Sequence, residues 1–139
     1  MGKLTKEDII LLFLEDPEKL AGEIWKGKVP KSDEIRTLIC ELGDSWCVYW
    51  YALQIDKKPT DETRTAACKN PGCAYGYAHN VDRKPTDETR TACCTVPWYA
   101  YCYAKNVDKK PTKETRRAAQ KDSFWKGRYK EWENSLKKI

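Results

Sequence analysis

The chain has 139 residues, 40% hydrophobic and 34% charged, a balance that fits one folded domain or a short repeat array and excludes a disordered polar chain. Its net charge of +5 is too mild to argue by itself for nucleic acid, and its longest apolar run, Ile9 to Leu14, is far too short to span a bilayer. The seven cysteines cannot all pair within the chain, and no basic-then-apolar leader opens it, so reduced thiols, a cytoplasmic location and no membrane partner are expected.

Thr5 caps a first helix that carries Glu7 and Asp8 in its first turn, where the helix dipole favours negative charge, and that stops at about Asp16, before Pro17. Pro17 opens a second helix through Leu20, Ile24 and Trp25 that ends near Gly27. Ser32 caps a third, in which Ile35, Leu38, Ile39 and Leu42 recur at helical spacing.

From here the chain repeats. The stretch from Lys58 to Cys68 (KPTDETRTAAC) returns as KPTDETRTACC at Lys84 and as KPTKETRRAAQ at Lys110, and Pro59, Pro85 and Pro111 are 26 residues apart. A fixed period of this length is the signature of a stacked array. The segment from Ser32 is a degenerate copy, with Glu34, Arg36 and Cys40 in the places of Glu62, Arg64 and Cys68. Between the copies lie Asp44–Asp56, Pro71–Asp82 and Pro97–Asp108. In these, Val48/Ala74/Ala100, Tyr51/Tyr77/Tyr103, Ala52/Ala78/Ala104 and Ile55/Val81/Val107 fall at offsets 0, 3, 4 and 7, one apolar helical face. Each repeat therefore reads as two short helices, one running from Pro to Asp and one starting at a Thr cap (Thr60, Thr86, Thr112). The segment from Ser123 to Ile139 leaves the repeat, with Trp125, Tyr129, Trp132 and Leu136 as an aromatic stripe among basic residues.

The expectation is an all-α single domain over 1–139: an N-terminal capping helix (about 5–16), repeats (about 17–121) stacked as a right-handed α-solenoid, and a C-terminal capping helix (about 123–139). Helices this short are unstable alone and must stack. The handedness follows other α-solenoids.

Asp56, Asp82 and Asp108 end helices, where a negative charge opposes the dipole, and Arg64, Arg90 and Arg116 follow each by eight residues. This spacing predicts a ladder of Asp–Arg pairs or caps at the turns. The alternative is an arginine row, extended by Arg36, that binds phosphates. Cys40, Cys68 and Cys94 share one repeat position and Cys47 and Cys73 another, while Cys93 and Cys102 are extra. No CxxC and no Cys/His spacing of zinc type is present, so these read as small buried fillers, with no metal and no cofactor. The lone His79 aligns with Leu53 and Lys105 and reads as exposed. No phosphate loop, nucleophile elbow or carboxylate pair stands outside the repeat, so no enzyme is expected.

The pattern Ala-x-x-Asn-Pro-x-x-Ala-x-x-Tyr-Ala over Ala67 to Ala78, with an Arg leading the preceding helix, resembles short α-helical repeats of the HEAT-like and leucine-rich-variant kind. It is also similar to arrays of Tyr-Ala-x-x-Val-Asp-x-x-Pro-x-x-x-Thr-Arg repeats in bacterial and bacteriophage proteins. The resemblance runs from about Pro17 to Gln120. It implies partner binding on one solenoid face. The Fe–S cluster that leucine-rich-variant proteins can hold in a Cys-rich N-terminal segment does not carry over, since no Cys precedes Cys40.

Three functions follow as expectations. The first is a non-enzymatic protein-binding scaffold, an adaptor or a phage-encoded inhibitor of a host protein, using Trp46, Tyr49, Trp50, Tyr75, Trp98 and Tyr101 as contacts. The second is nucleic-acid binding along Lys57, Lys58, Arg83, Lys84, Lys109 and Lys110, which recur once per repeat. The third is self-assembly of near-identical repeats end on end.

Overall fold

The computed structural model describes residues 3–137 as ten α-helices, with no strand among them. Residues 138 and 139 of the expected C-terminal helix lie outside the described residues. The helices are α1 (Lys6–Glu15), α2 (Pro17–Trp25), α3 (Asp33–Leu42), α4 (Ser45–Tyr51), α5 (Asp61–Ala67), α6 (Pro71–Gly76), α7 (Asp87–Cys93), α8 (Pro97–Tyr103), α9 (Lys113–Ala119) and α10 (Ser123–Leu136). Three of them continue directly into π-helical segments: π1 (Ala52–Asp56) after α4, π2 (Tyr77–Asp82) after α6 and π3 (Ala104–Asp108) after α8. None of the ten is long and apolar enough to cross a membrane.

Local chemistry sets the boundaries. Thr5, Ser32, Thr60, Thr86 and Thr112 each accept the backbone N–H three residues on, satisfying one of the donors that a helix start leaves open. The intervening helices are capped in the same way by Asp44, Asn70 and Asp122, each 26 residues from the next equivalent position. At Val96, which holds the remaining place in this series, the side chain makes no capping bond.

The chain divides into two compact units at Lys69/Asn70. In the first, α1 packs on α2 and α3, α2 on α4, and α4 on α3 and α5. Its core is aliphatic: Ile9, Leu20, Ile24, Val29, Ile39 and Val48 are all at most 1% exposed. In the second, α6 packs on α7 and α8, α8 on α7 and α9, and α10 on α8 and α9. Its core is built from small residues and tyrosine, with Cys73, Ala74, Ala78, Cys93, Ala100, Ala104 and Ala119 buried around Tyr77, Tyr103 and Tyr129. Small side chains let helix axes approach closely, and the tyrosines fill the volume that remains.

Tyr51, Tyr77, Tyr103 and Tyr129 stand 26 residues apart and are all at most 1% exposed. A buried phenol needs a hydrogen-bond partner. The Tyr103 hydroxyl accepts the Thr86 backbone N–H at 3.0 Å and lies 2.7 Å from Thr89 Oγ1. Tyr129 repeats this on Thr112 N–H at 3.2 Å and Thr115 Oγ1 at 2.7 Å. Tyr51 does the same with Ser32 N–H at 3.2 Å, and donates to Pro30 C=O at 2.9 Å. Each of these three tyrosines thus fastens its own helix to the capped start of the helix before it.

The segment from Ser123 was expected to leave the repeat. The structure places it in register, with Asp122 as cap and Tyr129 as fastener, and α10 departs only after Tyr129, by continuing as a regular α-helix where α8 turns into π3.

Candidate partner-binding surface

The π segments set the ion pairs. In π1 and π3 the extra residue of the wider turn brings an aspartate, five residues after the buried tyrosine, round to an arginine. Asp56 takes a bidentate pair from Arg36 (Nε at 2.7 Å, Nη2 at 2.9 Å), and Asp108 takes one from Arg90 (3.0 and 2.6 Å). Both aspartate side chains are fully buried. The expected spacing paired Asp56 with Arg64 and Asp108 with Arg116. The structure corrects it: each aspartate faces the arginine of the helix before it, because its own helix packs back on that one. Asp82 is likewise buried at 9% exposure, while Arg64 and Arg90 also reach Asp61 and Asp87 within their own helices. In α10, which has no π turn, the carboxylate comes one residue earlier, and Glu133 with its longer arm holds Arg116 at 2.9 and 2.8 Å. Hydrogen bonding to Arg116 lowers the Glu133 pKa.

Each π segment ends on a non-glycine residue in the left-handed region, Lys57 (φ 55°), Arg83 (φ 57°) and Lys109 (φ 60°). Lys57 N–H closes on Ala52 C=O and Lys110 N–H on Ala104 C=O. All six residues of the expected basic edge, Lys57, Lys58, Arg83, Lys84, Lys109 and Lys110, are exposed. In the second unit Arg83, Lys84 and Lys109 come together around one shallow groove with His79 and Asn106.

The aromatic candidates divide differently from the expectation. In the first unit Trp46, Tyr49 and Trp50 meet one another, and Trp50 meets Trp25, whose ring stands 5.0 Å away edge to face. Trp25 and Trp46 are about half exposed. Tyr49 is 4% exposed and buried in the core, so its ring offers no surface to a partner, which corrects its expected role as a contact.

In the second unit the rings form a connected surface. Tyr75 neighbours Tyr99 at 6.1 Å. Tyr99 stacks on Trp98 at 5.1 Å, Trp98 on Trp125 at 6.3 Å, and Trp125 meets Tyr101 at 5.6 Å and Phe124 at 4.8 Å. Trp98 is 49% and Phe124 57% exposed. Tyr75 joins this surface to the basic groove, since its hydroxyl accepts from Asn106 Nδ2 at 2.9 Å and its ring stacks on His79.

Tyr99 and Phe124 were not singled out from sequence, and Trp125 was read as part of the aromatic stripe of the C-terminal helix, not as a partner contact. The signal was the period itself. Trp46, Gly72, Trp98 and Phe124 are one row at 26-residue spacing, and Cys47, Cys73, Tyr99 and Trp125 are the next. Gly72 is the gap in the first row: a Cβ there would lie 2.9 Å from the Tyr99 hydroxyl, so its absence lets that ring lie flat.

The helices bearing Tyr75, Trp98, Tyr99 and Tyr101 present almost no negative charge, whereas α10, which bears Phe124 and Trp125, has Glu131 exposed. The only acids in α6, π2, α8 and π3 are Asp82 and Asp108, both withdrawn from solvent. Lys105 lies over the Tyr101 ring and Arg128 over Phe124, in cation–π contact.

All seven cysteines are free, and among the described residues no group of three or more His, Cys, Asp or Glu is placed to hold a metal ion. Burial raises the Cys40, Cys47 and Cys94 thiols to about 12, which suppresses the thiolate. No protein-family model, curated protein or solved structure matches the chain.

Proposed function

We propose that the chain is a non-enzymatic protein-binding scaffold, its repeats stacked as a short α-solenoid, and that its second unit docks a protein through the aromatic surface around Trp98. One observation carries this reading: neighbouring rings exposed at Trp98 and Phe124, beside α6–π2 and α8–π3, whose two acids are turned inward. Clustered tyrosine and tryptophan edges are what protein-binding hot spots are made of. The mutual stacking of Tyr99, Trp98 and Trp125 already occupies ring faces that an unstacked base would need.

The test is recovery of partners on the immobilised full chain, with and without nuclease and high salt, beside the variants Trp98→Ala and Phe124→Ser. The reading expects a stoichiometric protein that survives nuclease and is weakened about 30-fold by Trp98→Ala, the equivalent of a hot-spot loss of about 2 kcal/mol. Recovery that is indifferent to both variants would sink it.

A second reading, nucleic-acid binding, is favoured by the convergence of Arg83, Lys84 and Lys109 on one groove beside Tyr75. It expects affinity for a labelled single strand that falls steeply with salt and falls further in Arg83→Ala.

A further inference from the structure

A separate surface, independent of the aromatic one, shows its complement in the repeat register. Two pairs of helices that begin at a Ser or Thr cap touch in the same way. The fifth residue after the cap meets the glutamate at the second residue after the next such cap: Thr37 Oγ1 donates to Glu62 at 3.2 Å, and Thr91 Oγ1 to Glu114 at 3.1 Å. In α9 the corresponding position is Arg117, which is exposed and makes no ion pair or hydrogen bond among the described residues. Four residues to either side, where Asp87 opens α7 and Thr95 follows its end, Lys113 opens α9 and Lys121 follows its end. The row Asp–Thr–Thr has become Lys–Arg–Lys, while the inward Thr and Ala positions are unchanged.

The complement of such a row is a capped helix with a glutamate at its second residue, and α1 is one. Thr5 caps it, and Glu7 stands two residues on, exposed. Leu11 and Leu14 continue from Glu7 at i+4 and i+7, and are 66% and 73% exposed. Counted from the cap, the place of Leu14 is held by Glu41 within α3 and by Lys69, Thr95 and Lys121 just past the ends of α5, α7 and α9. An exposed leucine where every other copy is polar is an apolar position awaiting cover, and lysine and arginine stems supply apolar cover beneath their charges. The charges agree as well. Residues 6–25 hold six acids against Lys6 and Lys19, whereas residues 109–137 hold ten Lys or Arg against four acids.

We infer that α1 of one copy docks on α9 of a second copy, with Glu7 against Arg117 and Leu11 and Leu14 continuing towards the stem of Lys121. The chain then associates head to tail with itself.

The experiment is light scattering of the full chain over a concentration series at low and high salt. The mass should rise above 16.2 kDa with concentration at low salt and return to the monomer at about 0.5 M, where charges are screened within a few ångströms. Glu7→Arg alone and Arg117→Glu alone should each stay monomeric, since each places like charges in the contact. Mixing the two variants should restore association, because the new cation of one meets the new carboxylate of the other while the unaltered partners also find each other. Restoration on mixing also shows that both variants are folded. A constant 16.2 kDa under all conditions overturns the inference. So does association that Arg117→Glu leaves intact, or failure of the mixture to associate.

Discussion

At the scale of single residues, two kinds of position carry testable energy. Asp56 is a fully buried carboxylate whose partner is Arg36, itself only 11% exposed. Removing the cation strands the anion, so Arg36→Ala should destabilise by about 3–5 kcal/mol, read as a shift in the urea midpoint. The double variant Arg36→Met, Asp56→Leu should lose much less, because no charge is left unpaired. If the double variant is as unstable as the single, packing rather than charge holds the pair. Val96 is the second case. It occupies a cap position that Asp44, Asn70 and Asp122 fill with a side-chain acceptor. Val96→Asn should therefore stabilise by about 1 kcal/mol, seen as a higher midpoint in the same assay. The 26-residue period aligns the four positions, but that three of them are caps and one is a gap is seen only in the structure. The period also aligned the tyrosines, but not what their hydroxyls do. The bond from Tyr103 to the cap of α7 depends on which helices are neighbours, and spacing along one helix does not contain that.

At the scale of elements, the ten short helices were legible because their determinants are local: a Ser or Thr cap, a Pro at the first turn, and an apolar face at 3.6-residue spacing. The π segments were not. The offsets 0, 3, 4 and 7 suit an α-helix, and the widening occurs just past the last of the tyrosines, where the buried aspartate must turn towards the arginine. The error in the ladder has the same origin. Counting eight residues forward from Asp56 finds Arg64 in the next helix along the chain, whereas the helix that π1 packs against contributes Arg36. The left-handed ends of the π segments give a prediction. Lys109 holds φ 60°, where a Cβ is unfavourable and glycine is not. Lys109→Gly should stabilise by about 0.5–1 kcal/mol, partly offset by the freer unfolded chain. A lower thermal midpoint would mean that the Lys109 side chain contributes more than its backbone strain costs. The candidate surface was half legible. Tryptophan and tyrosine content pointed to it, but which rings are outward depends on packing, and Tyr49 turned inward while Phe124 turned out.

At the scale of the molecule, the core itself titrates. Both units bury phenols and thiols where many proteins bury only aliphatic groups. Burial raises the phenols of Tyr51, Tyr103 and Tyr129 above their ordinary 10.0, and the thiols of Cys40, Cys47 and Cys94 from 9.0 to about 12. A group whose pKa is raised on folding holds its proton more tightly in the folded chain. Its contribution is complete below the unfolded pKa and is lost as pH rises through the folded one. The thiols therefore begin to withdraw stability near pH 9 and continue to do so up to about 12, and the phenols add to the loss from their ordinary 10.0 upward. The thermal midpoint should be flat from pH 7 to about 8.5 and then fall steeply. Tyrosinate absorbance should rise in two stages, with the buried rings ionising only as the helical signal collapses. Replacing Tyr103 by Phe removes one titrating group but leaves the Thr86 N–H without its acceptor, so that variant should be less stable at pH 7 and lose less on going to pH 11. An equal drop for wild type and Tyr103→Phe between those two pH values would show that the phenol is not what the alkaline transition titrates.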